Sequence, residues 1–299
     1  MRSVFLTQQL HIKNLFIFLI LFFISSLVYA SRDDSSFPKT GNFALSSSQQ
    51  PGPLVGFGQN IVDKNQKIFF LLADDFKNSG SQFIDIAPSF LYGITDNLSV
   101  YFNMPIAADY RSGSQHAAGL EDSSVQFEYA FYNKQNNQFV DQATVVTNMT
   151  FPTGSSKKDP PTGFGSPSFF LGATFNRMYT NWFGFTSYGT VLTTSRNNTQ
   201  FGNQFLYQAG FGRNIFSIED KWIFAWMVEV DGQYSEKNRM NGIIDPNSGG
   251  NMITTTPSLW ISSQHLIIQV GVGIPIAQHL FGNQPRNNYS LISSVGFTF

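Results

Sequence analysis

The chain has 299 residues, of which 12% are charged and 16% aromatic, with 32 Phe, no Cys and a formal net charge of −1. Nothing in the near-neutral balance suggests a nucleic-acid partner, and the lack of thiols excludes disulfides, thiolate metal sites, a cysteine nucleophile and a lipid anchor on an N-terminal cysteine. A hydrophobic fraction of only 42% leaves no room for a bundle of transmembrane helices.

The one long apolar run, residues 15–30, follows Arg2 and Lys13 and ends in Val28, Tyr29 and Ala30, with small residues where a signal peptidase inspects. Residues 1–30 therefore read as a secretory signal cleaved after Ala30; as an uncleaved anchor the run falls short of the roughly 20 residues a span needs. Its removal leaves 16 Lys+Arg against 19 Asp+Glu. Residues 31–65 are rich in Ser, Asp, Gln, Pro and Gly without periodicity, and read as a periplasmic lead-in or a partial plug of the lumen. The Gly56-Phe57-Gly58 triplet within them lacks the strand-to-helix context of a phosphate loop and reads as turn chemistry.

Residues 66–299 are a succession of strand-like runs separated by turn signals. The pattern places them near 67–76, 83–93, 98–107, 123–133, 139–151, 167–177, 182–194, 203–213, 221–234, 251–262, 264–276 and 289–299. Tight links such as 94–97, 134–138 and 262–263 follow the even-numbered runs. Longer polar segments at 108–122, 152–166, 235–250 and 277–288 follow most odd-numbered ones, with shorter connections near 77–82 and 195–202. Short turns at one end and long loops at the other are the asymmetry of an all-β, up-and-down antiparallel transmembrane β-barrel of about twelve strands in the outer membrane.

The faces of the runs agree. Trp222, Phe224, Trp226, Val228 and Val230 share one side, and Glu229, Asp231 and Gln233 the other; two carboxylates do not face lipid cheaply. A soluble sandwich shows the same alternation with the aromatics in its core, so the barrel reading rests equally on the signal, the loop asymmetry and the aromatics near strand ends, Tyr92, Trp182 and Trp222. The last run is long enough to cross a bilayer. It is expected to aim Leu291, Val295 and Phe297 at lipid and Ser290, Ser294 and Thr298 at the lumen. Its aromatic ending, with Tyr289, Phe297 and Phe299, resembles the C-terminal strand read by the barrel assembly machinery.

Residues 88–106, PSFLYGITDNLSVYFNMPI, resemble a stretch of a bacterial outer-membrane transporter family associated with the meta-cleavage pathway of phenol degradation. A second match runs through Phe151-Pro152-Thr153-Gly154-Ser155 and Gly165-Ser166-Pro167 into the strand FFLGATF. The resemblance covers most of residues 66–299 and implies a twelve-stranded barrel with a transporter or channel role, without fixing the solute.

The candidate lumen lining is Asp85, Tyr101, Asn103, Gln126, Glu128, Gln142, Asn148, Gln208, Glu229, Asp231 and Gln269. Four are carboxylates and none is Lys or Arg, so the interior field favours cations or neutral polar solutes over anions, unless arginines such as Arg177 or Arg213 pair with those carboxylates. A small-molecule solute is the expected cargo, and outer-membrane lipid with lipopolysaccharide the expected surroundings. The loop Lys157-Lys158-Asp159-Pro160-Pro161 is expected to be exposed and proline-stiffened, with contact to lipopolysaccharide as the alternative. No cofactor, metal or catalytic set is expected. His116 and His279 fall in expected loops, His265 starts a strand beside a turn, and no serine sits in a strained nucleophile motif. Asp74-Asp75 and Glu121-Asp122 are the nearest thing to a rim cation site. The competing functions are a closed barrel that binds or adheres through its loops and an outer-membrane lipase-type enzyme.

Overall fold

The computed structural model describes residues 39–196 and 198–299; the expected signal at 1–30 and the start of the lead-in lie outside the described residues. Two 3-10 turns, Gly41–Phe43 and Ser47–Gln49, precede sixteen β-elements: β1 Lys67–Asn78, β2 Ser81–Thr95, β3 Leu98–Asn103, β4 Ile106–Ser112, β5 Gln115–Leu120, β6 Ser123–Gln135, β7 Phe139–Phe151, β8 Ser168–Tyr179, β9 Trp182–Thr193, β10 Gln204–Ile218, β11 Trp222–Ser235, β12 Arg239–Met240, β13 Ile243–Ile244, β14 Gly250–Ser262, β15 Leu266–Leu280 and β16 Asn287–Thr298. Elements β3 and β4 form one stave, broken where Pro105 cannot donate to the ladder. β5 and β6 form another, broken at Glu121-Asp122, and β12 with β13 is a hairpin within a connection. That leaves twelve antiparallel staves.

β1 pairs with β2 on one side and with β16 on the other, from Ile68 opposite Thr298 to Asn78 opposite Asn287, so the sheet closes on itself. Closure satisfies the backbone of every stave within the bilayer, which is the condition for a spanning β structure. At one end the links are short, at 96–97, 136–138, 180–181, 219–221 and 263–265; at the other, 152–167, 194–203 and 236–249 are long. This is a transmembrane up-and-down barrel.

One expected loop is a strand pair. Residues 108–122 contain most of β4 and all of β5, paired from Ile106 opposite Leu120 to Ser112 opposite Gln115. Asp109, Arg111 and Ser112 carry no apolar alternation because this hairpin projects beyond the rim, where both faces meet water and polarity ceases to mark a face. The free edge of β5 is covered by the 152–167 loop: Thr162 Oγ1 donates to Leu120 O at 3.0 Å, Thr153 Oγ1 to Glu121 O at 2.6 Å, and Lys158 Nζ to Ala118 O. The loop holding Lys157 and Lys158 is thus clamped onto a strand edge on one side. His116 lies in β5 and His279 in β15, in strands where loops were expected.

The outer wall is apolar along its length, with Phe69, Leu71, Phe102, Phe127, Leu171, Phe211 and Leu259 all exposed. In β16, Leu291 and Phe297 are exposed while Ser290 and Ser294 are buried inward, as the alternation requires; Ile292 joins the inward set. Near the short-turn end, aromatics and cations share the outer surface. The Arg213 guanidinium lies 4.7 Å from the Trp182 ring centroid. Arg177 grips Asp141 through Nε at 2.6 Å and Nη2 at 2.7 Å and lies 4.3 Å from the Phe139 ring. Both arginines are therefore on the outer face, and neither neutralises a lumen carboxylate.

Candidate functional site: the lumen and its inserted loop

Strand alternation places all eleven expected lining residues on the inward side of the wall: Asp85 on β2, Tyr101 and Asn103 on β3, Gln126 and Glu128 on β6, Gln142 and Asn148 on β7, Gln208 on β10, Glu229 and Asp231 on β11, and Gln269 on β15. Two further carboxylates, expected in rim pairs and not in the lining, also point inward. Asp74 stands directly opposite Asp85 across the β1–β2 ladder, and Glu121 lies within electrostatic reach of both. The parity of β1 marks Asp74 as inward, once its weak alternation is read from Ile68 and Phe70; Glu121 was hidden by the expected loop. Like charges directly opposed across a ladder are unfavourable. Asp74, Asp85 and Glu121 each keep one buried carboxylate oxygen without a hydrogen-bond partner among the described residues. No inward position of the described staves carries Lys or Arg.

The lumen is not an empty tube. Residues 39–49 run along the short-turn end, where Asn42 Nδ2 donates to Tyr179 O at 2.8 Å and Gln49 Nε2 to Thr298 Oγ1 at 2.6 Å. Phe43, Leu45 and Val62 then complete an apolar cluster with the inward residues Ile68, Phe183, Ile223, Met227 and Ile267. Between Gln49 and Val62 the chain rises into the barrel and returns to start β1. Its apex is fastened by two of the inward carboxylates. Glu229 accepts from three successive backbone amides, Leu54 at 2.7 Å, Val55 at 3.1 Å and Gly56 at 2.8 Å. Glu128 accepts from Asn60 N and Asn60 Nδ2, both at 2.8 Å, and from Gln126 Nε2 at 2.7 Å. Hydrogen bonds to a charged group are worth about 1.5–3 kcal/mol each, and these backbone amides supply the compensation that a buried carboxylate needs where no cation is present.

The Gly-Phe-Gly triplet is the tip of this loop. A β-carbon on Gly56 would stand 2.5 Å from the Phe185 ring, and one on Gly58, whose φ is +82°, would stand 2.3 Å from Thr174 Oγ1. Between them Phe57 packs edge-on against Phe170 with ring centroids 4.8 Å apart, and its carbonyl accepts from Thr174 Oγ1 at 2.7 Å. The glycines let the backbone approach the wall so that one aromatic ring can be wedged there.

Two spaces remain. A vestibule of about 500 Å³ opens at the long-loop end, among residues such as Thr193, Gln204, Gln233, Ser235 and Asn287. A second chamber of about 380 Å³ lies between the inserted loop and the wall, bordered by Phe70, Tyr101, Gln126, Gln142, Trp260 and Gln269. Of the eleven expected lining residues, Tyr101, Asn103, Gln126, Gln142 and Gln269 border this chamber, while Glu128 and Glu229 are covered by the loop they hold.

The rim pairs do not assemble a cation site. Asp74 faces inward, whereas Asp75 bonds Gln82 Nε2 at 3.0 Å. Asp122 is committed to the amides of Gly154 at 2.9 Å and Phe164 at 2.7 Å. Among the described residues no group of three metal-capable side chains comes together. His116 bonds Asp109 at 2.8 Å in the projecting hairpin.

No protein-family model and no curated protein matches the chain. Among solved structures, the COG4313 outer membrane channel from Pseudomonas putida F1 superposes with a TM-score of 0.66 at 12% identity, over 84% of this chain and 99% of that one. The NanC porin gives 0.45 at 11% identity, over 77% and 98%, and LpxR from Salmonella typhimurium 0.45 at 7%, over 78% and 100%. The first of these shares the barrel fold over nearly its whole length. At such identities the likeness is one of fold.

Proposed function

We propose that the protein is an outer-membrane channel for small solutes, with its short turns in the periplasm, that favours cations and uncharged polar molecules and is narrowed from the periplasmic side by residues 50–61. The observation that carries this reading is the charge of the inner wall: Asp74, Asp85, Glu121, Glu128, Glu229 and Asp231 point inward, and no Lys or Arg does so from the described staves. Rings and clusters of one sign in a pore set the sign of the ions it admits. Glu128 and Glu229 are spent on the loop, which leaves Asp74, Asp85 and Glu121 to act on solute, with Asp231, both of whose carboxylate oxygens are buried, adding to the field of the wall. The fold shared with an outer membrane channel and the resemblance read at residues 88–106 support the same reading. Lipid with lipopolysaccharide around the wall, and the barrel assembly machinery as the route into the membrane, belong to this proposal.

Reversal potential measured across a planar bilayer under a salt gradient tests it. The sign expected is that of cation preference, and clear anion preference overturns the charge argument. The fastening of the loop inside the lumen favours a second reading, a closed barrel that works through its outer loops. A protein that inserts into bilayers and passes no current, with residues 50–61 present or removed, would establish that reading instead.

A further inference from the structure

The chamber of about 380 Å³ differs from the rest of the lumen in one respect: among the 29 residues that border it there is no Asp, Glu, Lys, Arg or His. Six carboxylates among the described residues point into this barrel, yet the space between loop and wall is bordered by none of them. Its border joins amides and rings to aliphatic side chains such as Ile68, Leu72, Leu91 and Val140. Gln126 and Gln142 stand on one side and Gln269 on another, and the loop adds Gln59, whose buried Nε2 has no partner among the described residues. Tyr101 and Phe70 meet edge to face with centroids 6.4 Å apart, and Trp260, 8% exposed, closes the side toward the short-turn end.

We infer that this chamber is a binding site for an uncharged, hydroxyl-bearing ring, a saccharide of one or two units. The inference rests on the channel reading and names its solute class. Gln126, Gln142 and Gln269 each donate one N–H within the protein, to Glu128, Asn133 and Gly52 O, but each side-chain amide keeps a second N–H and oxygen lone pairs, which is what hydroxyl groups require and what an ion does not. Aromatic rings cover the apolar face of such a ring, while convergent polar groups fix its rim. The volume lies within the range of small-molecule sites. A carboxylate or ammonium sugar held in the chamber finds no counter-charge, so it binds there more weakly than a neutral ring, whereas small hydrated cations pass without being held. The acidic residues Asp74, Asp85 and Glu121 therefore act before this point in the path, and selection by hydrogen bonding acts at it.

The position of Trp260 provides the readout. The other three tryptophans, Trp182, Trp222 and Trp226, stand on the outward positions of β9 and β11, so emission that changes with solute and vanishes in Trp260→Phe reports on the chamber. Full-length protein in detergent would be titrated with glucose and maltose, and with glucuronate and glucosamine as charged analogues of the same size. The expected result is a saturable Trp260 response to the neutral sugars, at least about tenfold weaker for both charged analogues because neither charge is paired. Gln142→Glu, checked for heat-modifiable migration so that folding is assured, should shift the preference toward glucosamine, a gain that mere loosening of the wall would not produce. Equal or tighter response to a charged sugar overturns the inference, as does the absence of any Trp260 response. Failure of the channel reading looks different: no ionic current in bilayers, whatever Trp260 reports.

Discussion

At the scale of single residues, the interior is organised by where carboxylates find hydrogen-bond donors. Glu229 is an acceptor-only group when ionised, and three consecutive amides converge on its two oxygens. Replacing it with Gln keeps the shape but turns an NH₂ toward those amides, leaving donors opposed to donors. Glu229→Gln should therefore release the apex of the loop at a cost of about 1.5–3 kcal/mol per charged hydrogen bond lost. Hydrogen exchange followed by mass spectrometry would read this as amides of residues 54–56 exchanging roughly ten- to hundredfold faster. Peptides from β14 to β16 should not change. Unaltered protection at 54–56 would mean that the Phe57 wedge, and not the carboxylate, fixes the loop. The inward position of Glu229 was legible from the sequence, since Trp226, Val228 and Val230 alternate with it. Its partner was not: the amides it binds lie more than 170 residues away, and a backbone donor has no side chain for a pattern to reveal.

At the scale of elements, the same contrast explains which segments were read correctly. A stave inside the bilayer must alternate because lipid lies on one side and a polar lumen on the other, so β8, β10, β11 and β16 show themselves in their residues. That requirement lapses past the rim, which is why β4 and β5 look like a loop. It is absent as well from residues 50–61, where Pro51, Gly52 and Pro53 announce irregular backbone and say nothing of where it goes. The inserted loop starts and ends near the short turns, with Gln49 bound at Thr298 and Val62 at Ser99 Oγ. It can therefore be removed without breaking a stave. Replacing residues 50–61 with a short Gly-Ser linker should leave the heat-modifiable barrel intact and raise single-channel conductance several-fold, because the vestibule and the chamber would merge into one passage through the lumen. Conductance unchanged by the replacement would place the constriction elsewhere, with the 152–167 and 236–249 loops the next segments to examine.

At the scale of the whole molecule, the two faces of one strand answer to different solvents, and stability should depend on the face more than on the residue type. Val228 lies midway along β11 on the outward side and is 38% exposed, while Asp231, three residues on, faces inward. An arginine at a lipid-facing position near the bilayer midplane costs about 2–4 kcal/mol, since no backbone or counter-charge is free to meet it in a closed wall. The Arg177–Asp141 pair illustrates how the native outer face handles such a cation: near the strand ends, paired bidentately, and packed against Phe139. Val228→Arg has none of these supports. Denaturant unfolding of the barrel from lipid vesicles should show its stability reduced by about that amount. Asp231→Asn removes a carboxylate whose two oxygens are buried without a hydrogen-bond partner among the described residues, so it should leave stability unchanged or raised, while weakening cation preference in the reversal-potential measurement. If Val228→Arg were tolerated and Asp231→Asn destabilised the barrel, the inside and outside of this wall would have been assigned the wrong way round, and the charge argument for the lumen would fall with them.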